Sequence, residues 1–166
     1  MGQLARFASG APWEPIVAYS RAVRAGDFVA VSGTTAFDER GIIVGAGQMY
    51  VQARQALLNI QRALEKTGLS MRDVVRTRMY VTDISRFGDA ARAHHEFFSG
   101  SPPASTMVEV RRLVNPAMLI EIEADGYASS AGAAQPAQRS AVKPSLKAKS
   151  KAAVKKRPPP KAKKRK

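Results

Sequence analysis

QMYVQARQALLNIQRALEK, residues 48–66, keeps a helical period over its whole length. Met49, Ala53, Ala56, Leu57, Ile60 and Leu64 recur at three- and four-residue spacings, which gathers them into one stripe on a helix. Gly68 supplies the stop, because glycine reaches the left-handed conformation that closes a helix. An amphipathic helix of this length must lay its stripe on something, and the flanking segments read as strands.

Upstream, Val17 to Ala25 and Phe28 to Ser32 are apolar stretches joined at Ala25-Gly26-Asp27, which predicts a hairpin. Asp38 to Gly41 reads as a turn leading into a small strand, Ile42 to Val44. Met1 to Ile16, with Gly2, Gly10, Pro12 and Pro15, reads as loop with at most a short strand. Downstream, Ser70 and Asp73 stand three apart, as in a capping box around a short turn. Val74 to Thr82 (VVRTRMYVT) reads as a strand with Arg76 and Arg78 on one face. Ser85 is expected to cap a second helix that runs through Phe98. Ser105 to Leu113 alternates as a strand, Asn115-Pro116 turns the chain, and Met118 to Ala124 (MLIEIEA) is the last strand. The order ββ(β)αβαββ predicts an α+β fold with two helices packed on one face of a sheet.

Charge divides the chain. The 166 residues include 27 Lys and Arg against 13 Asp and Glu. Residues 128–166 hold 13 of the basic residues and none of the acidic ones, so residues 1–127 are almost neutral at +1. The basic excess belongs to a tail, which excludes reading the folded part as a basic nucleic-acid-binding domain. The tail is rich in Lys, Ala and Pro and contains no aromatic residue, a composition expected to remain disordered. It suits nonspecific contact with nucleic acid or another polyanion, or a merely solubilising extension. Cysteine is absent, which excludes disulfides, thiolate zinc sites and cysteine nucleophiles. No apolar run approaches the roughly 20 residues that span a bilayer. The first ten residues lack the apolar stretch of a secretory signal, and a cytoplasmic protein without membrane contact is the expectation.

Seven short segments stand out together: Val31-Ser32-Gly33, Gln52 to Ile60 (QARQALLNI), Asp73 to Thr77 (DVVRT), Val81 to Ile84 (VTDI), Phe97-Phe98, Val108-Glu109-Val110 and Ile120 to Ala124 (IEIEA). Their order and spacing over residues 17–127 resemble the RidA/YjgF family, the reactive-intermediate deaminases formerly described as L-PSP endoribonucleases. The resemblance implies a chorismate-mutase-like fold that assembles as a homotrimer, with ligand clefts between subunits. It implies hydrolysis of small imines or enamines to a keto acid and ammonia, with no metal and no cofactor. Glu121 is then the candidate catalytic residue, positioning water or moving protons. Tyr19, Ser32, Gly33, Ser105 and Met107 are the candidate substrate-binding residues.

One position departs from the family pattern. The family motif Pro-Ala-Arg-Ser, whose arginine binds the substrate carboxylate, reads here Pro103-Ala104-Ser105-Thr106, and Met107 stands where a cysteine is common. A serine hydroxyl cannot replace a guanidinium that pairs bidentately with a carboxylate. Arg21, on the face of Tyr19 by period-2 counting, is the nearest substitute cation, although a solvent or interface role is the plainer reading of it. Arg111, six residues beyond Ser105, lies roughly 20 Å away along an extended strand. The alternative function is a non-catalytic trimer that binds a small metabolite and is tethered to nucleic acid by its tail.

Other residues carry weaker signals. His94 and His95 point about 100° apart on a helix and cannot chelate one ion together, so a surface or interface role is expected. Glu121 and Glu123 share a strand face, where neighbouring carboxylates can separate their proton affinities. Arg76, Arg78, Arg111 and Arg112 are expected to pair with Glu109, Glu121 and Glu123. Ser32 and Ser105 have no His or Asp partner that the sequence alone can place.

Overall fold

The computed structural model describes residues 4–129. The basic tail read from the sequence lies outside them, apart from its first two residues. The elements are β1 (Leu4–Phe7), α1 (Trp13–Val17), β2 (Ala22–Ala25), β3 (Phe28–Thr34), α2 (Met49–Thr67), β4 (Val74–Val81), α3 (Phe87–Phe98), β5 (Ala104–Glu109) and β6 (Ile120–Tyr127). Single 3-10 turns at Met71–Asp73 and Ile84–Arg86 precede β4 and α3. The strands form one mixed sheet in the order β1-β2-β3-β6-β4-β5. All neighbours are antiparallel except β4 and β5, which α3 connects as a parallel crossover.

α2 lies against the sheet through the stripe read from its sequence. Met49, Ala53, Ala56, Leu57, Ile60 and Leu64 are fully buried, against Val29, Val31, Val81, Ile120 and Ile122 of the strands. Gly68 closes the helix at φ 84°, and its N–H reaches the Leu64 and Glu65 carbonyls. Buried Gln52 interrupts the apolar stripe. Its amide donates to the carbonyls of Gly45 and Ala117 and accepts from the Leu119 N–H at 2.8 Å, pinning the entry into β6. Asn59 donates to the Thr35 and Phe37 carbonyls and holds the chain that leaves β3.

Several boundaries differ from the sequence expectation, each for a physical reason. The amino-terminal loop contains both β1 and the short helix α1. Pro12 is the N-cap of α1 and Pro15 falls in its first turn, where a missing N–H costs no helical bond. Glu14 of α1 is buried and accepts from the N–H and hydroxyl of Ser9 and from the Gly10 N–H. Burial raises its proton affinity, but those bonds outweigh it and hold the carboxyl below its ordinary value. Ala18 ends α1 in the left-handed conformation, so the expected strand from Val17 begins only at Ala22. The strand expected at Ile42–Val44 shrinks to one bridge, Phe37 with Ile43.

The capping box at Ser70 and Asp73 forms as read. Ser85 does not cap the second helix, whose N-cap is Arg86 without a side-chain bond; Asp83 caps the 3-10 turn before it. Its carboxylate accepts from the Ser85 N–H and hydroxyl, and α3 starts only at Phe87. β5 ends at Glu109 instead of Leu113, because its partner β4 ends at Val81, opposite Glu109. β6 runs past Ala124 through Gly126, where an added Cβ would lie 2.8 Å from a Leu69 methyl. The glycine there lets the end of α2 approach the strand, and does not make a turn.

Candidate functional site

The helix-covered face of the sheet is apolar, and the opposite face carries the charge. Along β6, Ile120, Ile122 and Ala124 are buried under the helices while Glu121, Glu123 and Asp125 project from the other side. β4 meets them in register, with Tyr80 opposite Glu121 and Arg78 opposite Glu123. Arg78 pairs with Asp125 at 3.1 Å and Glu123 at 3.5 Å, and the Tyr80 hydroxyl lies 3.4 Å from Glu123. Glu109 instead accepts from the Ile84 N–H. Among the described residues Arg76, Arg111 and Arg112 form no ion pair, so the expected arginine network reduces to Arg78.

Glu121 forms no ion pair among the described residues. It is half-buried, and burial pushes its proton affinity above the ordinary carboxylate range. The nearby Glu123 charge adds to that rise, and the Arg21 charge opposes it. The carboxyl packs on backbone. Val31 pairs with Ala124 and Thr34 with Ile122, which leaves Ser32 and Gly33 together opposite the single residue Glu123. This bulge brings Gly33 against Glu121: a Cβ on Gly33 would lie 2.9 Å from the Glu121 carboxyl carbon and closer still to its Oε1. Bulges re-aim side chains and backbone in this way.

Arg21 holds the bulge. Its guanidinium donates to the Gly33 carbonyl at 2.8 Å, the Ser32 carbonyl at 3.3 Å, the Thr34 hydroxyl at 2.9 Å and the Tyr19 hydroxyl at 2.9 Å. It also lies 5.4 Å from the centre of the Tyr19 ring. Tyr19 and Arg21 therefore meet, although neither lies in a strand and the period-2 argument for them does not apply. With four bonds made inside the protein, Arg21 is a scaffold of the bulge rather than a free carboxylate receptor. The Ser32 hydroxyl donates to the Ser20 carbonyl.

Of the six site residues read from the sequence, Tyr19, Ser32, Gly33 and Glu121 thus come together around Arg21. Ser105 and Met107 do not join them. They pair in register with Thr77 and Met79 of β4 and share the helix-side face of the sheet. The Ser105 hydroxyl lies 2.9 Å from the Thr77 hydroxyl, which lies 2.9 Å from His94 Nε2. Of the surface or interface role expected for His94, the surface half is corrected here, since the residue is half-buried. Its ring turns inward onto Phe98, with centroids 4.5 Å apart, and burial lowers its proton affinity. His95 remains exposed. Period-2 counting back from buried Val81 and Met79 puts Thr77 on the core face, which is the signal the sequence offered for this contact.

The family model described as Endoribonuclease L-PSP matches residues 9–128. The chain belongs to that family, the RidA/YjgF proteins. A RutC family protein of Pyrococcus horikoshii is 38% identical over 121 residues, which cover 73% of this chain and 94% of that one. An uncharacterised protein of Streptomyces coelicolor is 34% identical over 122 residues, 74% of this chain and 90% of the relative. The crystal structure of Rv2704 from Mycobacterium tuberculosis, a YjgF/YER057c/UK114 family member, is 43% identical, with a TM-score of 0.70, and covers 76% of this chain and 100% of that one. The α+β fold with helices on one face of the sheet is therefore the YjgF fold, with β1 and α1 added to the elements read from the sequence. Among the described residues no helix is long and apolar enough to cross a membrane.

Proposed function

We propose that this RidA/YjgF protein is a cofactor-free hydrolase of small imines and enamines, acting in clefts between the subunits of a homotrimer in the cytoplasm. The observation that carries the reading is the half-buried Glu121 carboxyl, with raised proton affinity, set against the bulge of Ser32 and Gly33. A carboxyl whose proton affinity moves toward neutrality can both take and return a proton. Glu121 removes a proton from water as the oxygen attacks the C=N carbon. The same proton then goes to nitrogen, and the tetrahedral intermediate collapses as Glu121 takes its hydroxyl proton and returns it to the departing nitrogen, which leaves a carbonyl compound and ammonia. An enamine first gains a proton on carbon and enters as the imine.

The intersubunit location has its own support. Glu121 and Ser105 lie on opposite faces of one sheet, so a cleft that contains both draws them from two copies. Ser105 offers a neutral hydroxyl where the family motif has a cation. The preferred substrates on this reading carry an uncharged polar group, not a carboxylate, at that end.

The experiment is ammonia release from a carboxylate-free imine and from 2-aminoacrylate by the native protein, Glu121→Gln and Ser105→Arg. The native protein should hydrolyse the uncharged imine. Glu121→Gln should lose roughly 100-fold or more, the usual contribution of one acid–base group. Ser105→Arg should gain on 2-aminoacrylate. Silence of all three proteins on both compounds would leave the metabolite-binding alternative as the better reading. Sedimentation should give a trimer.

A further inference from the structure

Imine hydrolysis at Glu121 uses Ser105 only as a contact to the substrate and leaves Thr77 and His94 without a part. The row Ser105–Thr77–His94 joins three elements: the edge strand β5, the interior strand β4 and the helix α3. Thr77 is fully buried, and its hydroxyl contacts both neighbours at 2.9 Å. A buried hydroxyl needs only one partner to be satisfied. Here it has two, and they lead outward to an exposed serine and inward to an imidazole. Burial keeps that imidazole in its neutral, proton-accepting form near pH 7, and no charged neighbour contributes to the shift.

Hydroxyl and imidazole groups in such a line can pass protons in either direction. In the structure Thr77 donates to Ser105. When both hydroxyls turn, so that Ser105 donates to Thr77 and Thr77 to the Nε2 lone pair of the Nδ1-protonated His94 tautomer, the serine oxygen gains the character of a base-assisted nucleophile. This is the logic of a serine and histidine pair with one hydroxyl inserted between them. Ser105 lies on an edge strand, so alternate backbone N–H groups beside it are unpaired within the sheet and available to an oxyanion. Met107, two residues on along the same face, gives the site an apolar wall.

We propose that Ser105 is a nucleophile served by Thr77 and His94 and that, on the reading that Ser105 lines the imine cleft, the same cleft also cleaves small esters with short apolar acyl groups. In the first half, the Ser105 oxygen bonds to the acyl carbon and the ester C–O bond breaks. The serine proton moves to Thr77 as the Thr77 proton moves to His94, and the leaving alcohol carries a proton away as His94 returns to neutral. In the second half, water attacks the acyl-serine, its proton enters the row, and Ser105 is released with a proton while the carboxylic acid departs. The balance is ester plus water to acid plus alcohol, with no oxidant or further reactant. Ser105 is the catalytic residue, and Thr77 and His94 act through it.

The test uses the full chain with two probes, neither of which contains a C=N bond, so its failure is distinguishable from failure of the imine reading, which ammonia release in Glu121→Gln reports. p-Nitrophenyl acetate reports turnover by release of nitrophenolate. Phenylmethanesulfonyl fluoride reports the nucleophile through an adduct located by peptide mapping. The expected result is sulfonylation at Ser105, with turnover abolished in Ser105→Ala. Turnover should fall about 100-fold in Thr77→Val and in His94→Gln. Thr77→Ser, which keeps the hydroxyl, should restore most of the native rate, as a merely structural role for Thr77 would not require. Adducts confined to other residues would overturn the proposal. So would a Ser105→Ala protein with native turnover, or equal rates in Thr77→Val and Thr77→Ser.

Discussion

Gly33→Ala isolates the contact on which the Glu121 site rests. The backbone at Gly33 is not left-handed, so alanine itself is tolerated there. What resists it is the neighbour. The new methyl would lie 2.9 Å from the Glu121 carboxyl carbon and 3.3 Å from its Cγ, against about 3.4 Å or more for ordinary contact. The carboxyl must therefore leave its place on the bulge. Overpacking of this kind typically costs 1–3 kcal/mol, and the lower end, about 1 kcal/mol, applies because the crowded atoms end a flexible side chain. At an unstrained position, Gly→Ala by itself stabilises by roughly 0.4–1 kcal/mol through the unfolded chain. The sign of the substitution should thus reverse with its neighbour: destabilising by about 1 kcal/mol beside Glu121, and neutral or stabilising in a Glu121→Ala background. Urea unfolding of the four proteins of this cycle, at one protein concentration, measures it. A coupling of about 1 kcal/mol or more is expected. Additivity within roughly 0.5 kcal/mol would refute the claim that Gly33 is small in order to seat Glu121. In Gly33→Ala the imine activity should fall with little loss of secondary structure.

Three further outcomes follow from the same structure. Burial and Glu123 raise the Glu121 proton affinity on folding, so the folded chain holds that proton more tightly and its ionisation is a penalty. That penalty is absent below the unfolded carboxylate value and complete above the raised folded value, so Glu121→Gln should gain stability over the native protein as pH rises through this window; a difference that stays constant with pH in thermal melts would contradict it. Gln52→Leu strips partners from the Gly45 and Ala117 carbonyls and the Leu119 N–H, and should cost about 2–4 kcal/mol in urea unfolding, whereas a loss below about 1 kcal/mol would show that this glutamine is not what anchors the start of β6. A chain ending at Ala128 should lose salt-sensitive binding to single-stranded nucleic acid, because it lacks 13 cationic residues and no acidic one; equal affinity of both chains across a salt series would remove the tail from any such role.

The sequence by itself determined the local elements and the family. The stripe from Met49 to Leu64 could be buried in only one way, and the alternation of Ile120 to Ala124 set which side chains face the helices. It also showed the absent arginine at Ser105, since identity at a position is a property of the chain alone. Tertiary structure decided which of the candidate residues meet. Period-2 counting applies within one strand and carries no information on where neighbouring strands stand in register. It therefore could not show that Ser105 pairs with Thr77 on the face away from Glu121, or that His94 of α3 reaches the same hydroxyl. The bulge at Ser32 and Gly33 was equally hidden, because it is a mismatch of count between β3 and β6 and exists only once the two strands are paired. Arg21 acquired its four partners by the same route: they come from Tyr19 and from residues 32–34, and the turn at Gly26 and the bulge together bring them around one guanidinium.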